Sequence, residues 1–262
     1  MMNDSMQLLQ MLTNLPLLAL VMARISGLVA FAPFFSDSQI PINIRVLLSA
    51  VITIVVLPFA SANMPVPTDL GSLVLAMIGE LLIGLTFGLM LTILFSGLEL
   101  AGILIGQQVG IALAQVFNPL FEEETSVLGQ LYFFLALIIF LLIRGHMMLI
   151  AALVKSFHTI PPGHFVVNSD IVTGLVDILR LAFILALQVS APILVAIFLA
   201  TLAIGFVGRT VPQLNILSVG FSLRSILGFL LIIVCLTPAV QVFFNALDTT
   251  FKNLYRLMEL KI

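Results

Sequence analysis

The sequence predicts an all-α, polytopic integral membrane protein, and three features of its composition and pattern lead to this prediction. Of its 262 residues, 61% are hydrophobic and 8% are charged, whereas soluble globular proteins carry about a quarter charged residues. Several apolar runs exceed the ~18 residues that suggest a transmembrane helix. These runs are continuous, unlike the alternating strands of a membrane β-barrel. The net charge of −2 gives no electrostatic reason to expect a nucleic-acid partner.

Six hydrophobic segments, separated by turn-forming residues, account for most of the chain. Proline, glycine, serine and aspartate mark the separators, as in SANMPVPTDLG after the second segment. No stretch outside the segments is large enough for a soluble domain with an active site. We therefore expect one membrane-embedded domain over residues 1–262, with a short polar tail at residues 248–262. The expected segments are residues 8–35, 43–60, 71–97, 128–154, 178–207 and 222–246.

The positive charges do not define one orientation in the membrane. Lysine and arginine mark the cytoplasmic side, and the C-terminal tail carries Lys252, Arg256 and Lys261. With six simple crossings, the loops that hold Arg45 and Arg209 would then both face outward. Either the charge signal is weak, or the segments pack as hairpins inside a larger protein assembly.

Three charged side chains, those of Arg24, Glu80 and Arg144, lie within or near the ends of apolar segments. A charge at the bilayer centre costs about 2.5–3.5 kcal/mol on insertion scales. We therefore expect Arg24 and Glu80 each to face protein or water, as structural residues of the assembly. A proton or ion relay is the functional alternative. Nothing in the sequence pairs Arg24 with Glu80.

The sequence contains no motif for catalysis or for a cofactor. His146, His158 and His164 have no acidic ligands at metal-binding spacing, and no phosphate-binding loop or nucleophile–base pair is found. The single cysteine, Cys235, cannot form an internal disulfide or a cysteine cluster for a metal. We expect a protein that is not an enzyme and that holds no cofactor or metal.

Glycine recurs every four residues in two stretches, at Gly84 and Gly88 and again at Gly102, Gly106 and Gly110. This spacing places the glycines of each set on one face of a helix, where a neighbouring backbone can approach closely. Each glycine also weakens a helix by about 1 kcal/mol relative to alanine. These segments are therefore expected to pack tightly and to unravel easily.

The stretch from residue 102 to residue 126 interrupts the apolar pattern with polar side chains. Gln107 and Gln108 lie between two of the glycines, and the pair Asn118–Pro119 and the run Glu122–Glu124 follow. Proline disfavours α conformation in the residue before it, so the helix is expected to end by that pair. Irregular backbone at membrane depth must be buried in protein or line a watery cavity. Both a cavity-lining segment and an amphipathic connection at the membrane interface fit the residues.

A second irregular stretch, GRTVPQLNI, separates the fifth segment from the sixth. Pro212 is expected to break a helix, and the side chains of Arg209 and Gln213 can bond to the carbonyl groups that the break exposes. We expect a structural corner here, and a plain solvent loop is the alternative.

Five motifs, within a resemblance that runs from about residue 20 to 240, follow one another in a characteristic order and spacing. They are ARISGLVAFAPFF, IPINIRVLLSAVIT, GQQVGIALAQVFNP, GHMMLIAALVKSFHTIPPG and GRTVPQLNILSVGFSLR. In these motifs the sequence resembles the FliR family, the R subunit of the flagellar type III protein export gate, called SctT in virulence injectisomes.

The resemblance implies a channel-forming role in protein export. Members of the family join FliP and FliQ subunits in a helical assembly at the flagellar base, with FlhB and FlhA alongside. The assembly encloses the channel through which unfolded flagellar subunits leave the cytoplasm. The expected location is therefore the bacterial inner membrane, at the flagellar basal body.

The resemblance also implies a role for the segment of residues 106–122, which matches a plug-like loop in the closed channel of the family. The acidic run Glu122–Glu124 departs from the family pattern, and the resemblance implies no role for it. The candidate plug residues are Gly106, Gln107, Gln108, Gly110, Gln115, Phe117, Asn118 and Pro119.

Two alternatives remain beside the flagellar export gate. An injectisome homologue of the same family would export virulence proteins instead. A secondary transporter of a small solute would use Glu80 and Arg24 as an ion-coupled site, but the related halves typical of such transporters are not evident in the sequence.

Overall fold

The structure, a computed structural model, describes residues 15–33, 35, 40–60, 69–110, 126–163, 169–210 and 216–259. Within these ranges the regular structure consists of seven α-helices, without a strand, which confirms the predicted all-α class. The helices are α1 (Leu15–Phe31), α2 (Ile42–Ala60), α3 (Leu70–Val109), α4 (Val127–Leu142), α5 (Gly145–Thr159), α6 (Ser169–Thr210) and α7 (Ile216–Glu259).

Four helices of the described ranges, α2, α3, α6 and α7, are long and apolar enough to cross a membrane. The helices α4 and α5, which are bent by 66° at their junction, would make a fifth span if they are counted together. The described part of α1 is apolar and has 17 residues, a length at the short end of what spans a bilayer. The prediction of a polytopic membrane protein is thereby confirmed.

The fourth predicted segment, residues 128–154, is two helices rather than one. Arg144 lies between them with φ 58° and ψ 35°, a left-handed conformation that side chains other than glycine seldom adopt. Its N–H donates to the carbonyl of Leu141, and its own carbonyl accepts from the N–H of Met147. Because the residues on both sides of this break are apolar, hydropathy alone does not reveal it.

The three longest helices extend well beyond the apolar segments that predict them. α3, α6 and α7 have 40, 42 and 44 residues. A helix can continue beyond the end of an apolar segment, because its backbone hydrogen bonds do not require apolar side chains. Most of the polar tail belongs to α7, which continues to Glu259. Phe251 and Leu254 are buried there, so this part of the tail is packed against protein.

The chain forms two compact units. Unit 1 comprises the described residues within 1–93, 141–178 and 249–262, and unit 2 comprises those within 94–140 and 179–248. In unit 1, α1 packs on α2, and α2 packs on α5. Three side chains of α1, those of Leu20, Val21 and Ile25, are completely buried.

The core of unit 2 is centred on the ring of Phe95. This ring meets those of Phe133, Phe140 and Phe243 edge to face, with centroids 5.9, 5.6 and 5.6 Å away. Edge-to-face contacts suit the quadrupole of aromatic rings and add to the stabilisation from buried area. The rings thus join α3, α4 and α7 within this unit.

Candidate functional site

The helices α1 and α3 approach each other through glycines, which we call the glycine seam (Gly27, Gly84 and Gly88). A Cβ atom at Gly27 would lie 2.5 Å from the carbonyl oxygen of Leu81, and one at Gly84 would overlap the carbonyl group of Arg24. Gly88 meets the backbone of α1 in the same way. Contact this close between backbones is what the four-residue glycine spacing predicts.

The glycine seam brings the two buried charges of the apolar segments together. The Nε atom of Arg24 lies 2.5 Å from Oε2 of Glu80, and neither side chain has any exposed surface. Both residues therefore contact protein, and they contact each other. The sequence does not indicate this pair, because the residues are 56 positions apart and only the register of α1 on α3 makes them meet.

The remaining polar atoms of the pair bind the end of α5 and the turn that follows it. Nη1 of Arg24 donates to Oγ of Ser156 at 2.9 Å, and Nη2 donates to the carbonyl of Ile160 at 3.0 Å. The N–H of Gly163 donates to Oε1 of Glu80 at 2.9 Å. We call these five residues the Arg24 cluster. The guanidinium carbon of Arg24 also lies 4.2 Å from the centre of the Phe157 ring, a distance at which cation and ring attract.

The geometry of the Arg24 cluster suits a structural role better than a relay. Both oxygens of Glu80 accept hydrogen bonds, and all three guanidinium nitrogens of Arg24 donate one. A group in a proton or ion relay must release one partner to take up another. Both charged side chains are also closed off from solvent, so no proton or ion can reach them directly from water. A buried ion pair is tolerated when its geometry is good and further hydrogen bonds satisfy its remaining atoms, as they do here.

Ser156, Phe157, Ile160 and Gly163 also belong to this site, and the sequence does not single them out. The signal that could have indicated them is the turn IPPG, in which Gly163 has a positive φ of 87°. Ser156, a polar residue on the buried face of an apolar helix, is the second signal.

Residues 106–122 are the candidate plug segment. The structure describes residues 106–110 of it, at the end of α3 in unit 2. A Cβ atom at Gly102 would overlap the backbone of Leu128 in α4, and one at Gly106 would lie 3.2 Å from Oγ of Ser126. Gly110 ends the helix with φ 92°, and its N–H donates to the carbonyl of Gly106 at 3.2 Å. The first two glycines therefore allow close packing, whereas the third permits the turn.

Gln107 and Gln108, in the last turn of α3, are exposed. This position is compatible with either interpretation of the segment, a wet cavity or a membrane interface. The other candidate plug residues lie outside the described residues, as does the run Glu122–Glu124; they are Gln115, Phe117, Asn118 and Pro119.

The predicted corner between the fifth and sixth segments is described only at its edges. Arg209 is exposed in the last turn of α6, which ends at Thr210, and α7 begins at Ile216. Pro212 and Gln213 lie outside the described residues.

The three histidines of the chain all lie between residues 146 and 164. His158 is exposed near the end of α5. Nδ1 of His146 is buried and has no hydrogen-bond partner among the described residues. Within the described ranges, which exclude His164, no group of three or more histidine, cysteine or acidic side chains could hold a metal ion.

Comparison with known proteins assigns the chain to a family. The sequence profile of the family described as "Bacterial export proteins, family 1" matches residues 15–250. The chain belongs to this family. Its relatives include three that are each named "Flagellar biosynthetic protein FliR".

These relatives match the chain over most of its length. The protein of Escherichia coli K12 is 31% identical over 231 residues, which is 88% of each chain. That of Bacillus subtilis 168 is 28% identical over 249 residues, or 94% of this chain and 95% of the relative. That of Caulobacter vibrioides is 32% identical over 225 residues, or 86% of this chain and 90% of the relative.

Proposed function

We propose that this protein is a channel-forming subunit of the bacterial flagellar type III protein export gate, located in the inner membrane at the flagellar basal body. The match of residues 15–250 to the export family carries the proposal. The flagellar name shared by relatives that cover nearly the whole chain supports it. The apolar helices suit a membrane location, and the role requires no catalytic residue.

The subunit assembles with FliP- and FliQ-like subunits, next to FlhB- and FlhA-like proteins, around a path for unfolded flagellar subunits. Large apolar side chains of α2, α6 and α7 are exposed over much of each helix. Apolar faces of this extent must be covered by lipid or by other protein. An assembly of membrane helices provides both kinds of cover.

In this proposal, residues 106–122 obstruct the closed channel. α3 ends at Val109, and Gly110 follows it in a left-handed conformation that a residue with a side chain would strain to adopt. The exposed amides of Gln107 and Gln108 stand just before this point. A chain that leaves a packed helix at a glycine, next to polar side chains, suits a segment that enters an aqueous lumen.

Deletion of the gene in its own bacterium tests the proposal. The deletion strain should lack flagellar filaments and should retain hook and filament proteins inside the cell, and the intact gene should restore both. An affinity-tagged chain, purified gently from membranes, should bring FliP- and FliQ-like subunits with it in a mass-spectrometric analysis. Normal filaments in the deletion strain would contradict the flagellar role, and loss of secreted virulence proteins alone would indicate an injectisome instead.

A further inference from the structure

The turn after α5, residues 160–163, has few backbone N–H groups with which to hold its position. Pro161 and Pro162 have no N–H, and the N–H of Ile160 is used within the helix end, where it donates to the carbonyl of Ser156 at 2.8 Å. The carbonyl of Ile160 and the N–H of Gly163 remain as the groups that flank the two prolines. Ile160 and Pro162 are buried, so unpaired polar groups here would be costly.

Both of these groups bind the same ion pair. Arg24 donates to the carbonyl of Ile160, and Glu80 accepts from the N–H of Gly163. One charged side chain therefore holds the entrance of the turn, and its partner holds the exit. The ion pair and the turn form a closed ring of polar contacts.

The packing of α1 on α3 has other sources. The glycine seam brings the two backbones into contact, and the hydroxyl of Thr92 donates to the carbonyl of Phe31 near the end of α1. A pair of apolar side chains in place of Arg24 and Glu80 could fill the same space without the desolvation cost of two charges. Such a pair could not satisfy the carbonyl and the N–H of the turn.

We propose that Arg24 and Glu80 form a latch on the turn of residues 160–163, which fixes the point where the chain leaves α5 on its way to α6. The latch is a conformational device that goes beyond the proposed export function and does not depend on it. Its release frees the turn and leaves α1 and α3 in contact, because the glycine seam joins these helices independently.

Hydrogen–deuterium exchange can follow the latch through a single bond. Gly163 carries the one backbone N–H among residues 161–163, so a peptide that covers them reports on its bond to Glu80. The protein is the full chain, studied with whatever subunits purify with it. In the double variant Arg24→Met/Glu80→Met, the N–H of Gly163 should exchange about tenfold faster or more, as expected for one lost buried hydrogen bond. The N–H groups of α1 and α3 around the glycine seam should keep their protection.

A matched control perturbs the helix contact and spares the ion pair. In Gly88→Ala the added Cβ would lie 2.9 Å from the carbonyl oxygen of Leu28, so α1 and α3 must shift locally. This variant should accelerate exchange in both helices near the substitution and leave Gly163 protected. The proposal is overturned if Gly163 stays protected in the double variant, or if both variants accelerate Gly163 and the helices alike.

A milder variant decides the question if the double variant does not accumulate. Ser156→Ala removes one acceptor of the Arg24 side chain and leaves both charges in place. Because the ion pair then loses part of its alignment, the hydrogen bond from the N–H of Gly163 to Glu80 should open more often. The N–H of Gly163 should exchange about two- to threefold faster. Unchanged exchange of Gly163 in this variant would contradict the latch.

Discussion

At the scale of single residues, the stability of the protein depends on charges that are buried together. Arg24 has no exposed surface, and Glu80 is its only carboxylate partner among the described residues. Both members of the pair also bind groups of α5 or of the turn after it. Removal of either charge therefore leaves the other buried and uncompensated.

Glu80→Ala is expected to destabilise the protein by about 3–5 kcal/mol, the usual cost of breaking a buried ion pair on one side. Glu99→Ala is the matched control, because Glu99 lies on the same helix, is only partly buried, and makes no hydrogen bond or ion pair with the described residues. The Glu99→Ala variant should lose far less stability than the Glu80→Ala variant. Thermal unfolding of the two purified variants and the parent protein measures both effects. An equal loss of stability in the two variants would show that Glu80 matters only as a charge in an apolar helix.

At the scale of the elements, glycines determine how closely the helices approach. Gly84 leaves no room for a Cβ atom, because its neighbour is the backbone of α1. Gly205 of α6 has no atom within 4 Å of the place where its Cβ would be. Replacement by alanine should therefore destabilise the protein at Gly84 but not at Gly205.

Gly84→Ala is expected to separate α1 from α3 and to destabilise unit 1, by about 1–3 kcal/mol if the helices shift only locally. Gly205→Ala should be neutral or stabilising by up to about 1 kcal/mol, since alanine favours the helix and meets nothing. Thermal unfolding of the two variants beside the parent protein provides the comparison. A destabilised Gly205→Ala variant would indicate that another subunit covers this position in the purified protein.

The elements also show which parts of the fold can be read from the sequence. Continuous apolar runs predict helices and membrane crossings, because a segment buried in lipid or protein needs apolar side chains along its whole length. Hydropathy alone does not reveal the break at Arg144, because one backbone conformation between two apolar helices causes it. The charge of Arg144 near the end of an apolar run, followed by Gly145, is the sequence signal for a helix end there. The spacing of Gly84 and Gly88 predicts a close contact but not its partner, and the Arg24–Glu80 pair depends on that partner and its register.

At the scale of the whole molecule, the described helices carry much exposed apolar surface. Large side chains on α2 and α7, such as Ile54, Val55, Ile233 and Val234, are more than half exposed. In the proposed assembly, neighbouring subunits cover part of this surface. The chain purified alone should therefore unfold or aggregate at a lower temperature than the chain purified with its partners, in the same detergent. Equal unfolding temperatures would indicate that lipid or detergent suffices to cover these faces.

The assembled channel should lose its seal when residues 111–122 are replaced by a flexible glycine–serine linker of equal length. This replacement spares the contacts of Gly102 and Gly106 with α4, so α3 and its packing remain. If the proposed plug lies in the lumen, membrane conductance should rise and small solutes should enter during growth, whereas export can continue because a plug closes a path and does not drive transport. Conductance across membranes that hold equal amounts of assembled complex measures the effect, with the parent complex as control. Equal conductance would make the segment an ordinary connection between α3 and α4, and the exposed Gln107 and Gln108 would then mark a membrane interface.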